Sequence, residues 1–261
     1  MLNDEQRRGQ ILDVLRQQGS LRVSRLAQRF GVTPVTIRTD LRALADAGLL
    51  LRQHGCARLP HMPPPEANLA EKRTLHRERK LRIAASAAAL VAAQDKIILD
   101  AGSSTLILAQ QLHAAGTLTV FTNSLPIAAE LAQSPAIELI VAGGVLRHAS
   151  QSLQGRQAEA SLDGYVFDKL FLGADGIDMA FGLSTHDALD ASLNARMIAG
   201  ARRVIVLADS SKFGRICLHR IGALEHIHTI VTDASMSSAM RDAIRARGIE
   251  LIVAGDTGHA H

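Results

Sequence analysis

The chain has 261 residues, 47% of them hydrophobic, and 29 basic against 25 acidic side chains, for a net charge of +4. That length exceeds the roughly 100–200 residues of a usual domain, so two domains of unequal size are expected. No apolar run reaches the roughly 20 residues of a bilayer span, and MLNDEQRRGQ puts charges where a secretory signal needs an apolar stretch, so a cytoplasmic protein without membrane attachment is expected.

The charge is unevenly divided. Residues 1–59 hold ten arginines and no lysine against five acids, whereas residues 60–261 hold 19 basic and 20 acidic side chains. A small head carrying the whole positive surplus suggests a polyanionic partner. Asn3 or Asp4 can cap a first helix with Ile11, Leu12 and Leu15 at helical spacing, ended by Gly19-Ser20. A second short helix buries Val23, Leu26, Ala27 and Phe30 and stops at Gly31. Thr33-Pro34 then supplies an N-cap with proline at the first helical position, and a third helix buries Ile37, Leu41 and Leu44 before Gly48. The turn between the last two helices is about three residues, as a DNA-reading helix-turn-helix requires. Residues 49–59, with Gly55 at the turn, read as two short strands, making a winged helix.

In such a head the third helix enters the major groove, where Arg38, Thr36, Thr39 and Arg42 can reach base edges. Thr33, Ser24, Arg25, Arg52 and His54 are assigned to positioning the head on the DNA, the last four against phosphates. A three-helix interaction module with solvated arginines has the same pattern. The run Thr33-Pro-Val-Thr-Ile-Arg-Thr-Asp-Leu41, followed by Leu44, Gly48, Arg52 and His54-Gly55, resembles the DNA-binding signature of the DeoR family of bacterial regulators, which favours DNA. Two positions depart from it: Thr39 stands where that family commonly has a basic residue, and Cys56 where it has a second glycine. With 3% aromatic residues and no tryptophan there is little stacking platform for single strands, so duplex operator DNA is the expected partner.

Residues 60–65, Pro-His-Met-Pro-Pro-Pro, read as a semi-rigid extended spacer. The expected division is a winged helix over 1–59, a linker over 60–70 and an effector and oligomerisation domain over 71–255. From Ala70 to about Ala93 the chain is helix-forming, first charged and then Ala-rich; the charged half reads as a solvated helix face or a DNA contact.

Short β-prone runs recur at 96–100, 118–121, 137–142, 169–172, 204–208, 228–232 and 249–253, separated by helix-like stretches. This is a βα alternation with a largely parallel sheet, an α/β fold whose ligands bind beyond the carboxyl ends of its strands. At those ends lie Asp100 with Gly102, Ser103, Ser104 and Thr105; Thr122, Asn123 and Ser124; Gly143 and Gly144; Asp175; and Lys212. Free N–H groups and hydroxyls at the turn after Asp100 suit a phosphate. Gly143 and Gly144 permit backbone to approach a ligand. Lys169 and Lys212 can neutralise a phosphate while the aspartates accept sugar hydroxyls.

The same segments, Asp100-Ala-Gly-Ser-Ser-Thr105, Thr122-Asn123, Gly143-Gly144, Gly173-Ala-Asp175-Gly and Asp209-Ser-Ser-Lys-Phe213, are similar to the effector domain of the DeoR family. That resemblance implies a fold like ribose-5-phosphate isomerase and coenzyme A transferases, and an operon repressor released by a phosphorylated sugar. Gly182-Leu-Ser-Thr-His186 with Asp190-Ala-Ser-Leu-Asn194 most resembles the branch that regulates N-acetylgalactosamine and galactosamine use. A homo-oligomer, dimer or tetramer, is expected because such heads usually bind paired half-sites.

The rival class is a phosphosugar isomerase with a DNA-binding head. Isomerisation needs a proton-shuttling base, for which the related isomerases use a glutamate after the Gly-Ala-Asp segment; no glutamate lies between Glu159 and Glu225, although Asp187 and Asp190 could substitute with altered reach. Two cysteines, Cys56 and Cys217, are too few for a disulfide framework, the histidines (His226, His228, His259 and His261 among them) show no metal-ligand spacing, and no Gly-x-Ser-x-Gly elbow occurs. Neither a cofactor nor a metal is called for.

Overall fold

The first unit opens with α1 (Asp4–Gln18), followed by β1 (Ser20–Arg22), α2 (Val23–Phe30), α3 (Pro34–Asp46), β2 (Leu51–Gln53) and β3 (Cys56–Arg58). The computed structural model describes residues 3–18, 20–53, 56–58 and 66–255, and the chain divides into two units, Met1–Glu66 and Ala67–His261. Gly31, at φ 63°, closes α2, and the Thr33 hydroxyl caps α3 by accepting from Thr36 N at 3.2 Å. Ile11, Leu15, Leu26, Ile37, Leu41 and Leu44 form one core, joined by Leu50 and Ala57. The sheet has three strands in the order β1-β3-β2, all antiparallel. Two of these were read from the sequence; β1 was not, because three residues after a helix stop carry no periodicity. The proline spacer and the Gly55 turn lie outside the described residues.

A buried carboxylate ties α1 to α3. Arg7 Nε donates to Asp40 Oδ2 at 2.6 Å and Arg8 Nε to Asp40 Oδ1 at 3.1 Å, and Asp40 is 1% exposed. Removing one partner of such a buried pair leaves the other charge desolvated without compensation.

The second unit runs α4 (Leu69–Thr74), α5 (Arg77–Ala88), β4 (Lys96–Leu99), α6 (Ser103–Ala109), β5 (Leu118–Thr122), α7 (Leu125–Leu131), β6 (Ile137–Val141), β7 (Val145–Arg147), β8 (Ser152–Gln154), α8 (Arg156–Ala160), β9 (Phe167–Leu172), β10 (Gly176–Asp178), β11 (Gly182–Thr185), α9 (Ala188–Ala199), β12 (Ala201–Leu207), β13 (His219–Gly222), β14 (Thr229–Asp233), α10 (Ser238–Arg245) and β15 (Glu250–Ala254). Seven strands form one sheet in the order β15-β14-β12-β9-β4-β5-β6, with every neighbouring pair parallel. Both faces are covered, as parallel sheets require: Ile98 and Phe121 point into a core with Leu193 and Met197 of α9, while Ile97, Leu99 and Val120 meet Ile83, Ala84 and Ala87 of α5. A smaller antiparallel sheet, β10-β11-β13, and the β7-β8 hairpin complete the unit.

The helix-forming stretch from Ala70 is two helices. It breaks at Leu75-His76, where His76 takes φ 54°, a left-handed conformation unusual for a side-chain-bearing residue.

Replacing Asp40 by Ala is expected to destabilise the first unit by about 3–5 kcal/mol. Hydrogen exchange of the full chain in urea checks this: protection in α1 and α3 falls while that of the β4-β9 strands stays, and unchanged protection in α1 contradicts the role given to Asp40.

Candidate functional site

On α3 the buried positions Ile37, Asp40, Leu41 and Leu44 face the core, which leaves Val35, Arg38, Thr39 and Arg42 along one solvent-facing stripe. Their spacing of three, four and seven places them on one helix face. Thr33 and Thr36 share the cap, hydroxyl to hydroxyl at 3.0 Å, and the Thr39 hydroxyl donates to Val35 O at 3.2 Å, leaving the two arginines as the stripe's free-reaching groups. Ser24 and Arg25 are exposed near the start of α2. Arg52 is on β2; its side chain and the whole of His54 lie outside the described residues.

In the second unit the chain adds β4, β5 and β6 in one direction and β9, β12, β14 and β15 in the other, so the order reverses between β4 and β9. That switch point opens a crevice at the carboxyl ends. Asp100, just beyond β4, spans it by accepting from Gly173 N at 3.2 Å. Thr122 and Asn123, ending β5, bind inward: Thr122 Oγ1 donates to Leu99 O at 2.7 Å, and Asn123 Oδ1 accepts from Ala101 N at 3.0 Å. Ser124 caps α7. Thr105 Oγ1 donates to Gly102 O, whereas Ser103 and Ser104 begin α6 without a capping hydrogen bond.

Across the crevice lies a cationic group. Asp175 Oδ1 is 2.7 Å from Lys72 Nζ of α4 and 3.6 Å from Lys212 Nζ, and Thr185 Oγ1 donates to its Oδ2 at 3.2 Å. The two ammoniums outweigh burial and hold the Asp175 carboxyl well below the usual range. Lys80, 3% exposed, donates to the backbone carbonyl of Lys72. Burial brings its ammonium down to about 8, against the attraction of Asp209. Burial pushes Asp100 the other way, up to about 8, helped by the charge of Asp190. Arg79 Nη1 donates to Ser210 Oγ at 3.0 Å beside Asp233, whose carboxyl is lowered by N–H donors from Ser210 and Ser235 despite its burial. Arg147 reaches Asp187 at 3.4 Å and Asp190 at 3.7 Å.

Matches to known families settle the kind of protein. The DeoR-like helix-turn-helix domain matches residues 7–62, and the DeoR C-terminal sensor domain matches residues 75–234. The chain belongs to the DeoR family. It is 39% identical over 253 residues to a protein of Escherichia coli O157:H7 named a putative aga operon transcriptional repressor, covering 96% of this chain and 94% of that one. The glycerol-3-phosphate regulon repressor of E. coli K12 is 28% identical over 250 residues, 96% of this chain and 99% of its own. Among solved structures, ribose 5-phosphate isomerase A of Methanocaldococcus jannaschii aligns with TM-score 0.40 at 22% identity, over 52% of this chain and 54% of that one.

This DeoR-family chain is therefore a DNA-binding transcription regulator, and both relatives are named as repressors rather than enzymes. Its described residues contain no helix long and apolar enough to cross a membrane and no group of three metal-ligating side chains.

Three effector residues expected from the sequence make contacts within the chain. Lys169 is paired with Asp95, which precedes β4, and so lies at the amino end of the sheet, away from the crevice. Gly144, at φ 119°, is required by its own chain: a Cβ there would lie 2.5 Å from Gln154 O. Gly143 N donates to Ser161 Oγ. Gly144 thus admits the backbone of β8, whereas a side chain at Gly143 would meet only ordinary contacts.

The charged run has a solvated face, as read, with Arg73, Arg77 and Glu78 exposed, but Lys72, Lys80 and Arg79, which turn inward, went unrecognised. One signal was available. Lys80 shares the spacing of Ile83, Ala84 and Ala87, so a lysine stands in the apolar stripe of α5.

The raised Asp100 sets a pH dependence. Folded Asp100 holds its proton to about 8 and the unfolded chain releases it near 3.8, so its contribution to stability is lost as pH rises between those values. Asp100→Asn removes that loss. Thermal unfolding from pH 5 to 8 is expected to show the variant gaining on the native chain as pH rises; parallel curves would refute it.

Proposed function

We propose that this regulator represses a carbohydrate-utilisation operon, is bound to duplex operator DNA through the exposed stripe of α3, and is released by a phosphorylated sugar at the β4-β9 crevice. The observation that carries the effector reading is the gathering of Lys72, Lys80 and Lys212 about Asp175 beyond the carboxyl end of β9. Three ammoniums suit a phosphate dianion, and Asp100 and the serines suit sugar hydroxyls, with Asn123 holding the turn after Asp100 through Ala101 N.

The likeness to a putative aga operon repressor supports a sugar operon, and with Gly182–His186 and Asp190–Asn194 it favours an amino-sugar phosphate. The protein works in the cytoplasm as a dimer or tetramer, since one head offers few base contacts. Release requires the sugar phosphate to bind one of two conformations more tightly than the other.

Gel shifts on the chain's own intergenic DNA, at fixed salt, test this with galactosamine 6-phosphate, N-acetylgalactosamine 6-phosphate, glucose 6-phosphate and ribose 5-phosphate. Specific binding relieved by one of them is the expected outcome, and specific binding indifferent to all refutes the effector reading. Arg38→Ala is expected to cost about 1–3 kcal/mol on the operator; an equal loss on random DNA would make Arg38 a phosphate contact instead. Lys212→Ala is expected to raise the sugar-phosphate concentration needed for release, and an unchanged titration would remove Lys212 from the site.

A further inference from the structure

We propose that Lys72 and Asp175 form a latch opened by the effector's phosphate, so that occupancy of the crevice is transmitted to α4, the first described helix after the proline spacer. This rests on the effector reading above and adds the route by which binding leaves the sensor.

α4 has six residues, too few to persist in water without tertiary contacts. Leu69 is buried and its N–H donates to Ala149 O at 2.8 Å, so the start of the helix rests on one side chain and one hydrogen bond to its surroundings. Its later half is held by side chains at the crevice: Lys72 on Asp175, and Lys80 on the Lys72 carbonyl. α5, by contrast, is anchored on the sheet through Ile83, Ala84 and Ala87. Between the two helices stands His76 at φ 54°, where a change of backbone angles moves α4 and leaves α5 seated.

The chemistry of the cluster makes the latch competitive. Asp175 brings one negative charge to Lys72 and Lys212, both of whose side chains are about four-fifths buried (21% and 20% exposed). A phosphate brings ~1.5–2 charges and three acceptor oxygens. Two anions a few ångströms apart in a crevice poorly screened by water repel each other, so the phosphate and Asp175 cannot both hold both ammoniums. Lys72 then follows the phosphate, Asp175 keeps Thr185, and the end of α4 shifts. Chain continuity from Leu69 back through the spacer carries that shift towards the head.

The test compares the full chain with Lys72→Met and Lys72→Arg. Calorimetry with the four sugar phosphates above reads binding, and operator affinity with and without a saturating amount of the compound reads release. The native chain is expected to lose operator affinity about tenfold or more on binding, within the usual range of allosteric coupling. Lys72→Met is expected to bind the same compound, weakened by up to about tenfold, yet to change operator affinity by less than about twofold on saturation; Lys72→Arg restores the response.

Full release in Lys72→Met overturns the latch. If calorimetry finds no binding to the native chain, the effector reading itself fails and the latch falls with it, a loss seen at binding rather than at release. Hydrogen exchange without any ligand supplies a further check. Residues 69–75 are expected to exchange faster in Lys72→Met than in the native chain, and equal rates would overturn the latch by themselves.

Discussion

Because strand order reverses between β4 and β9, two loops from distant parts of the sequence must meet at the carboxyl edge of the sheet, and Asp100 closes that meeting on Gly173 N. Much of the sensor's chemistry depends on this constraint. It brings the turn after β4 beside the loop after β9, at the edge that open parallel sheets use for ligands. The register of β4 on β9, Leu99 against Phe171, is what sets the two loops at the same height. Its cost is a buried carboxyl, which stays protonated near neutrality rather than carrying an unpaired charge.

The first unit depends on a comparable device of opposite character. Asp40 remains a paired carboxylate between two arginines of α1, and the helix it fixes is the one whose outer face bears Arg38 and Arg42. The same helix therefore presents an acid inward and bases outward. An orientation error of α3 about its axis by one residue, roughly 100°, would expose the carboxylate towards DNA, so the Arg7–Asp40 pair specifies the face as well as adding to the core.

What the sequence made legible follows from where periodicity is strong. All seven strands of the parallel sheet overlap the β-prone runs read from the sequence, since strands covered on both faces are rich in Ile, Val, Leu and Phe. Thr33-Pro34 marked the start of α3 because cap chemistry is local. The runs themselves told Lys169 from Lys212, one at the amino start of its run and the other beyond the carboxyl end; β9 begins two residues earlier than its run, at Phe167, and keeps Lys169 in its amino half. Hidden were features decided by tertiary contact. The charged run from Glu71 looked solvated because long side chains can turn either way. Only the folded sheet, with Asp175 and Asp233 at its edge, shows that Lys72 and Arg79 turn inward.

The opposed shifts of Lys80 and Asp100 decide which ligands the crevice can accept. Below about pH 8 burial leaves Asp100 neutral while Lys80 still carries its charge. Lys72, Lys80, Lys212 and Arg147 then stand against Asp175, Asp209, Asp187 and Asp190, and the charges balance. Were Asp100 ionised, the cluster would be net negative. The neutral Asp100 also retains an O–H that can donate as well as lone pairs that accept. On the proposed reading Lys72 has two competing partners, the chain's own Asp175 and an arriving phosphate, which is the condition for a ligand to move α4 rather than merely occupy the edge.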